Sequence, residues 1–501
     1  MTAKDKALAA ALDYIPRWIA HQMRLAEQPG CSFAVAHRGK LVAEFALGQS
    51  GDGRALTPRH RFRVASHSKT FTAAAVLRLR ELGRWQLDDA VGRYVPGLHK
   101  QVAGATLAQL LAHGAGLVRD GADAAQWSDR GPFLDETALR ADLGGGPVLT
   151  AQTRLKYSNH GYGLLGLAIA GVTGEPYTDW VAREIVAASN LDETTPDMPD
   201  RPDLSTPRAR KAVPSFPFAQ GHSAKWPLGH RQTIPGDNPT NALASATGFV
   251  STAADLVKFF SSLSPDARHS VLSPASRREM LRRQWRDAYG SVERWYGLGT
   301  MHGATPGAGS GSDWDWFGHT GGFQGTVSRT LCLPQQGLCI SGLSNAADGQ
   351  AHQWVEGAVQ IVRAYLQHGA PSARTAAWAG RWWSLWGAID LLPMAGKVLV
   401  AQPSLDNPVM DATQIEPRAR QPGHGRITLA GSFASHGETA RLELDAQGRA
   451  TAVWLAATRL QSEAQAAREL AARYKPAPNA RPAKPIKPTN PIKPAKARAA
   501  R

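Results

Sequence analysis

With 501 residues, 43 % of them apolar, the chain falls in the range of soluble globular proteins and has the length for two or three domains of roughly 150 residues each. Its three cysteines are too few, and odd in number, for a disulfide framework, and no Cys/His spacing suits a zinc site. The formal net charge of +16 is uneven: eight basic and no acidic residues fall in the last 27, so half of the excess belongs to the C-terminal tail.

Residues 1–28 read as helical. The apolar run 7–12 is stopped by Asp13 and followed by Pro16 and Arg17, which leaves it short of the roughly 7–15 residues of a secretory signal, with no small-residue cleavage site. The expectation is a cytoplasmic protein without an export signal, and no stretch approaches the ~20 apolar residues of a spanning helix. Segments 31–36 and 40–45 flank Arg38-Gly39 and read as a hairpin. Phe62-Arg63-Val64-Ala65 leads into a helix from 66 to about 82, closed by Gly83. Its centre, Ala73-Ala74-Ala75-Val76-Leu77, is apolar on several sides, as in a buried central helix.

From about 88 to 260 the pattern is helical and loop-rich, with an irregular Pro- and Gly-rich stretch at 200–240. Residues 321–333 and 337–343 read as two strands joined by a loop at 334–337. In that register Cys332 and Cys339 face each other as small buried residues in a reducing compartment. A helix follows at 351–367 and completes a first domain, 1–368. A smaller β-rich domain is expected at 370–474. It opens with the tryptophans Trp378, Trp382, Trp383 and Trp386, has strands at 397–402, 426–430, 440–444 and 450–455, and ends in a helix near 463–474. Residues 475–501, with repeated Lys-Pro steps, have nothing to bury and read as a disordered or polyproline-like tail.

Three short elements carry chemistry. Ser66-His67-Ser68-Lys69 sits at a strand-to-helix junction, where a spacing of three puts Ser66 and Lys69 on one helix face. Free N–H groups at a helix start favour negative charge. The Ser66 N–H can therefore face an oxyanion, and the same field pushes the Lys69 pKa down toward that of a usable base. In Tyr157-Ser158-Asn159, Tyr157 is placed to take the Ser66 proton and return it if Lys69 stabilises its phenolate. Asn159 offers both a donor and an acceptor, suited to Lys69 and to a substrate carbonyl. In His319-Thr320-Gly321-Gly322, two glycines at a sheet edge let a substrate backbone approach. The Gly322 N–H opposite that of Ser66 would complete a two-donor oxyanion hole.

Taken together, the three elements make the chain resemble the serine β-lactamase and penicillin-binding-protein superfamily, most of all its class C-related branch. Supporting stretches are Phe62-Arg-Val-Ala-Ser-His-Ser-Lys-Thr70, Leu110-Leu-Ala-His-Gly-Ala-Gly-Leu117, Gly248-Phe-Val-Ser-Thr-Ala-Ala-Asp-Leu256 and Gly318-His-Thr-Gly-Gly-Phe-Gln-Gly325. The likeness spans roughly 20–367. It implies an α/β (α+β) fold: an antiparallel sheet flanked by helices, with an inserted helical subdomain and the site between them. It also implies Ser66 as nucleophile, Lys69 as its activator, Tyr157 as proton shuttle, and Asn159, His319, Thr320 and Gly321 as substrate contacts. His319 stands where many relatives carry Lys, so the third element lacks a fixed charge for a substrate carboxylate near pH 7.

The leading expectation is an acyl hydrolase acting on an ester, an amide or a D-amino-acid peptide through a Ser66 acyl-enzyme, with no cofactor or metal and a small molecule or short peptide as partner. A D,D-carboxypeptidase or β-lactamase comes second. A catalytically idle scaffold is the reading of another class, and an idle site has no need of Ser66, Lys69 and Tyr157 together. The basic tail offers nucleic acid only a salt-sensitive, sequence-independent attraction and reads as a solvated segment. Trp127, Trp314 and Trp316 are candidates to line the pocket, and nothing in the sequence sets an oligomeric state.

Overall fold

Thr2 starts the first helix. Its hydroxyl accepts the Asp5 N–H (3.2 Å) while its own N–H donates to Asp5 Oδ2 (2.8 Å), a reciprocal cap that satisfies two orphaned donors. The computed structural model describes residues 2–198, 217–307, 312–431 and 435–474. Helix α1 (Ala3–Leu25) buries Leu8, Ala11, Tyr14, Ile15, Trp18 and Ile19, which recur at three- and four-residue steps along one face. Strands β1 (Gly30–His37) and β2 (Lys40–Gly48) form the expected hairpin. Its turn residues Arg38 and Gly39 both take positive φ, +51° and +75°, matching the twist of the flanking strands.

After β3 (Phe62–Arg63) and α2 (Ser68–Glu81), the inserted helical layer follows as α3 (Lys100–Ala103), α4 (Leu107–Leu111), α5 (Glu136–Leu143), α6 (Asn159–Thr173) and α7 (Tyr177–Val181). The described part of 200–240 carries only the two-residue strands β4 (Gly221–His222) and β5 (Thr233–Ile234); residues 199–216 lie outside the described residues. Next come β6 (Val250–Ser251), α8 (Ala253–Ser262), α9 (Pro274–Met280), β7 (Trp285–Arg286), β8 (Trp295–Tyr296) and β9 (Met301–Thr305). The first unit closes with β10 (Trp314–Phe323), β11 (Thr326–Leu333), β12 (Leu338–Ser344) and α10 (Ala351–His368).

The main sheet is antiparallel in the order β2-β1-β12-β11-β10-β9-β8-β7. The N-terminal hairpin therefore pairs with the last strand of the unit, Cys31 opposite Ser344. Cys332 and Cys339 are directly opposed and buried as free thiols. The stretch 321–333 is not one strand: β10 begins at Trp314 and turns at Gln324-Gly325, with Gly325 at φ +74°, before β11. Phe323 and Val327 on either side of the turn hide it in an apolar pattern.

Helices α1 and α10 cover one face of the sheet, with Trp18 and Trp354 fully buried among them. On the other face lie α8 and, behind it, α2, whose Phe71, Ala73–Leu77 stretch and Leu79 are buried on all sides. No described helix is long and apolar enough to cross a membrane.

The second unit is a closed eight-stranded antiparallel barrel of β13 (Gly380–Ser384), β14 (Gly387–Pro393), β15 (Val398–Ala401), β16 (Thr413–Pro417), β17 (His424–Leu429), β18 (Thr439–Leu444), β19 (Ala450–Leu455) and β20 (Thr458–Gln461), followed by α11 (Glu463–Arg473). β13 returns to β20 through Trp383 opposite Gln461, so no sheet edge is left open. Four of these strands are foreseen from the sequence. The other four are missed: β13 and β14 adjoin the tryptophan cluster, β16 and β20 are short and mostly polar, and closure is a property of register and not of any one segment. The barrel meets the first unit at α1. Asp390 accepts from the Tyr14 hydroxyl (2.7 Å) and from Arg381 (2.7 Å), Gln22 donates to Pro403 O (2.6 Å), and Arg24 pairs with Glu463 (2.7 Å). The tail at 475–501 lies outside the described residues.

Candidate active site

Ser66 is delivered by a strained entry. β3 pairs with β6. The chain then turns at Ala65, whose φ is +49°, into a 3-10 turn (Ala65–His67) that runs into α2. An alanine in the left-handed region costs about 1–3 kcal/mol and persists only where its surroundings fix it. Ser68 Oγ does this by donating to Ala65 O (2.6 Å) and accepting the Phe249 N–H (3.0 Å). His67 lies between Val64 O (3.0 Å) and Thr330 Oγ1 (2.9 Å). Burial pushes its pKa down to about 3, so it is a neutral tether between the turn and β11.

The third element lies alongside. β9 pairs with β10 only as far as Gly318, so the 319–323 edge is left without a strand neighbour on that side and packs against the Ser66 turn. A Cβ on Gly321 would sit 2.1 Å from Val64 O, whereas one on Gly322 would meet nothing within 4 Å. Gly321 thus permits the close packing and Gly322 borders open space. Gly321→Ala is expected to push β10 off the Ser66 turn and to lower turnover by roughly 100-fold while the fold survives, since ~1 Å of misplacement suffices for that. Steady-state kinetics beside a thermal melt checks it; an unchanged rate would refute the close fit.

Lys69 is fully buried. Its Nζ has three partners: Asn159 Oδ1 (2.7 Å), Ala246 O (2.8 Å) and Ser66 Oγ (3.1 Å). Burial drives its pKa well below that of an ordinary lysine. The Asp120 charge opposes the shift, and Arg119 adds to it. The first two partners can only accept; in the neutral amine they would take its two hydrogens and leave the lone pair for the Ser66 hydroxyl. Ala246 O comes from a π-helical turn (Ala244–Gly248) that leads into β6.

Asn159 opens α6 behind Ser158, which caps the helix by accepting the Gly161 N–H (2.8 Å). Its Nδ2 donates to Asp120 Oδ1 (2.6 Å), and the same oxygen accepts Trp127 Nε1 (2.9 Å). Asp120 therefore fixes which end of the Asn159 amide faces Lys69. Tyr157 lies with its ring centroid 4.9 Å from Lys69 Nζ. Burial raises its phenol above the ordinary range, while a hydrogen bond to Ser66 and the Arg119 charge pull it back. With its pKa raised in this way, Tyr157 stands beside Ser66 as a phenol, not as the phenolate expected from the sequence.

His319 is 1 % exposed and its Nε2 lies 3.0 Å from the Tyr296 hydroxyl. Burial drives its pKa well down, which agrees with a third element lacking fixed charge, but the ring backs the site instead of opening onto it. Thr320 is half-buried, with its hydroxyl toward Met301 Sδ (3.8 Å). Trp127 stands next to the site, edge-on to Phe133 (5.3 Å) and Phe323 (6.3 Å). Trp314 and Trp316 belong to the core under α1 and α10, on the far face of the sheet, and do not line it.

Sequence reasoning passed over Asp120, Tyr296 and His113. His113 takes φ +60°, accepts the Ser158 N–H at Nδ1 (3.2 Å) and lies with its ring centroid 4.1 Å from that of Tyr157, tilted by 38°. It stands in the Leu110-Leu-Ala-His stretch that carried the family likeness, and that was its available signal.

The comparisons with known proteins follow the same geometry. The Beta-lactamase family pattern matches residues 15–359. The chain is 28 % identical over 341 residues to penicillin-binding protein 4 of Amycolatopsis lactamdurans, covering 63 % of this chain and 81 % of that protein. It is 28 % identical over 183 residues to protein flp of Staphylococcus aureus (strain MW2), 35 % of this chain, and the match spans only 36 % of that relative's length. The solved structure of a D-stereospecific amidohydrolase from Streptomyces sp. superposes with a TM-score of 0.54 at 26 % identity, covering 71 % of this chain and 98 % of that one. With the family pattern running from within α1 to within α10, across the whole sheet and the helical layer, the chain belongs to the Beta-lactamase family.

Proposed function

We propose that the protein is a serine hydrolase that cleaves an ester, an amide or a D-amino-acid peptide through an acyl-enzyme on Ser66. The observation that carries this reading is Lys69 Nζ, 3.1 Å from Ser66 Oγ with its other two positions filled by obligate acceptors. Ser66 Oγ attacks the acyl carbon as its proton passes to the Lys69 lone pair, and the carbonyl π electrons move onto oxygen. The N–H groups of Ser66 and Gly322 receive that oxyanion; in other hydrolases losing one such donor costs about 2.7–4 kcal/mol. Collapse breaks the bond to the leaving group, which takes a proton from the Tyr157 phenol; the Lys69 ammonium, 4.9 Å from the centroid of that ring, gives the Ser66 proton back to the phenolate. Water then repeats the sequence, gives up its proton to the same base and releases the acid with Ser66 regenerated.

The family membership and the likeness to a penicillin-binding protein and a D-stereospecific amidohydrolase support this reading. Intact-mass analysis after a fluorophosphonate is expected to show one adduct on wild type, on Ser66, and none on Ser66→Ala. A wild type that takes no label and turns over no member of an activated-ester panel would overturn it.

A further inference from the structure

Lys69, His113 and His319 are buried, and burial lowers the pKa of each, which disfavours a charge on any of them. One cation stands beside them. Arg119 O accepts the N–H groups of Asn159 (3.0 Å) and His160 (3.2 Å), so its backbone is fixed at the start of α6. Its guanidinium carbon lies 5.8 Å from the centroid of the Tyr157 ring. Nε pairs with Asp120 Oδ2 (3.0 Å), and the side chain is 64 % exposed. Asp120 is committed through Oδ1 to Asn159 and Trp127, so it anchors the arginine from behind. No described residue accepts a hydrogen bond from Arg119 Nη1 or Nη2.

We propose that Arg119 is the carboxylate subsite of this active site, so that the substrate is an ester, amide or D-amino-acid peptide with a carboxylate close to the bond that is cut. The proposal rests on the serine-hydrolase reading. A guanidinium has five N–H donors in a rigid fork; the Asp120 contact uses the Nε side, and the terminal pair matches the two oxygens of a carboxylate. The cation that His319 does not supply from the sheet then comes from the α6 side, against the face of Tyr157.

The test is a matched pair of N-acyl-D-alanyl thioesters, one with mercaptoacetate as leaving group and one with methyl mercaptoacetate, followed by thiol release. Wild type is expected to prefer the free carboxylate. In Arg119→Gln the ratio of the two kcat/KM values is expected to fall about 10- to 100-fold, the span of a charged hydrogen bond, mainly through KM, with partial recovery in Arg119→Lys. A wild type without preference, or an unchanged ratio in Arg119→Gln, overturns the subsite. Should Arg119→Gln not fold, the ratios of wild type and Arg119→Lys decide: equal ratios overturn it, and a lower one in the lysine variant supports it. Ser66 labelled by the fluorophosphonate with no such preference overturns only the subsite; no label and no thiol release overturn it and the hydrolase reading together.

Discussion

Lys69→Met is expected to lower kcat/KM by about 10²–10⁴-fold, the usual worth of a positioned base. Methionine fills much of the same buried volume, but its thioether is not basic enough to take the Ser66 proton and has no hydrogens for Asn159 Oδ1 and Ala246 O. The pH profile separates the loss of a base from the loss of packing. On the proposed mechanism wild-type kcat/KM requires neutral Lys69, so it rises with pH through a pKa that burial has lowered well below that of ordinary lysine. It falls again only as Tyr157 ionises, above the usual phenol range. The methionine variant should therefore lack the acid limb. An acid limb near pH ~10, the ordinary lysine value, would mean that Lys69 is charged and that the base is another group.

Arg63→Met is expected to cost about 3–5 kcal/mol, the range for breaking a buried ion pair from one side, or a Tm drop of roughly 5–15 °C. Arg63 is fully buried. It donates to Gly236 O (2.9 Å), Gly248 O (2.9 Å), Asn238 O and Asp197 Oδ1 (3.0 Å). Asp197 Oδ2 in turn accepts the Thr240 N–H (2.8 Å). Removing the guanidinium leaves three carbonyls without a donor and a carboxylate without a counter-ion. Burial already raises Asp197 above the ordinary carboxylate range, and Arg63 holds it down; without Arg63 it rises further. A carboxyl whose folded pKa is raised loses stability as pH climbs from the unfolded value through the folded one. The deficit of the variant should thus be largest at neutral pH and shrink as Asp197 takes up its proton on acidification. Melts across that range check the sign; a deficit independent of pH would remove Asp197 from the account. Activity should suffer too, since Gly248 closes the π-helical turn that presents Ala246 O to Lys69.

Several features were fixed by local chemistry and so were legible in the chain. The Arg38-Gly39 turn and the opposed Cys332 and Cys339 each depend on neighbours within a few residues, and the structure has both. Ser66 and Lys69 stand one helical turn apart, so their meeting followed from spacing alone. Other features depended on packing between distant segments. The single-strand reading of 321–333 failed because Gln324-Gly325 carries a turn between apolar flanks, and only pairing of β10 with β11 reveals it.

What the sequence by itself determined about this protein is which alcohol, amine and phenol are available and that a helix start joins two of them. Only the tertiary structure decided their surroundings. Burial under β10, α6 and the Ala244–Gly248 turn takes Lys69 out of solvent, which lowers its pKa further than a helix start alone. The same folding brought Asp120 to Asn159 across 39 residues and Arg119 to the face of Tyr157. It also turned His319 inward, placed Trp314 and Trp316 on the far side of the sheet, and closed eight short strands into a barrel. Orientation across a sheet and closure of a barrel are set by register between remote strands, and no local pattern encodes them.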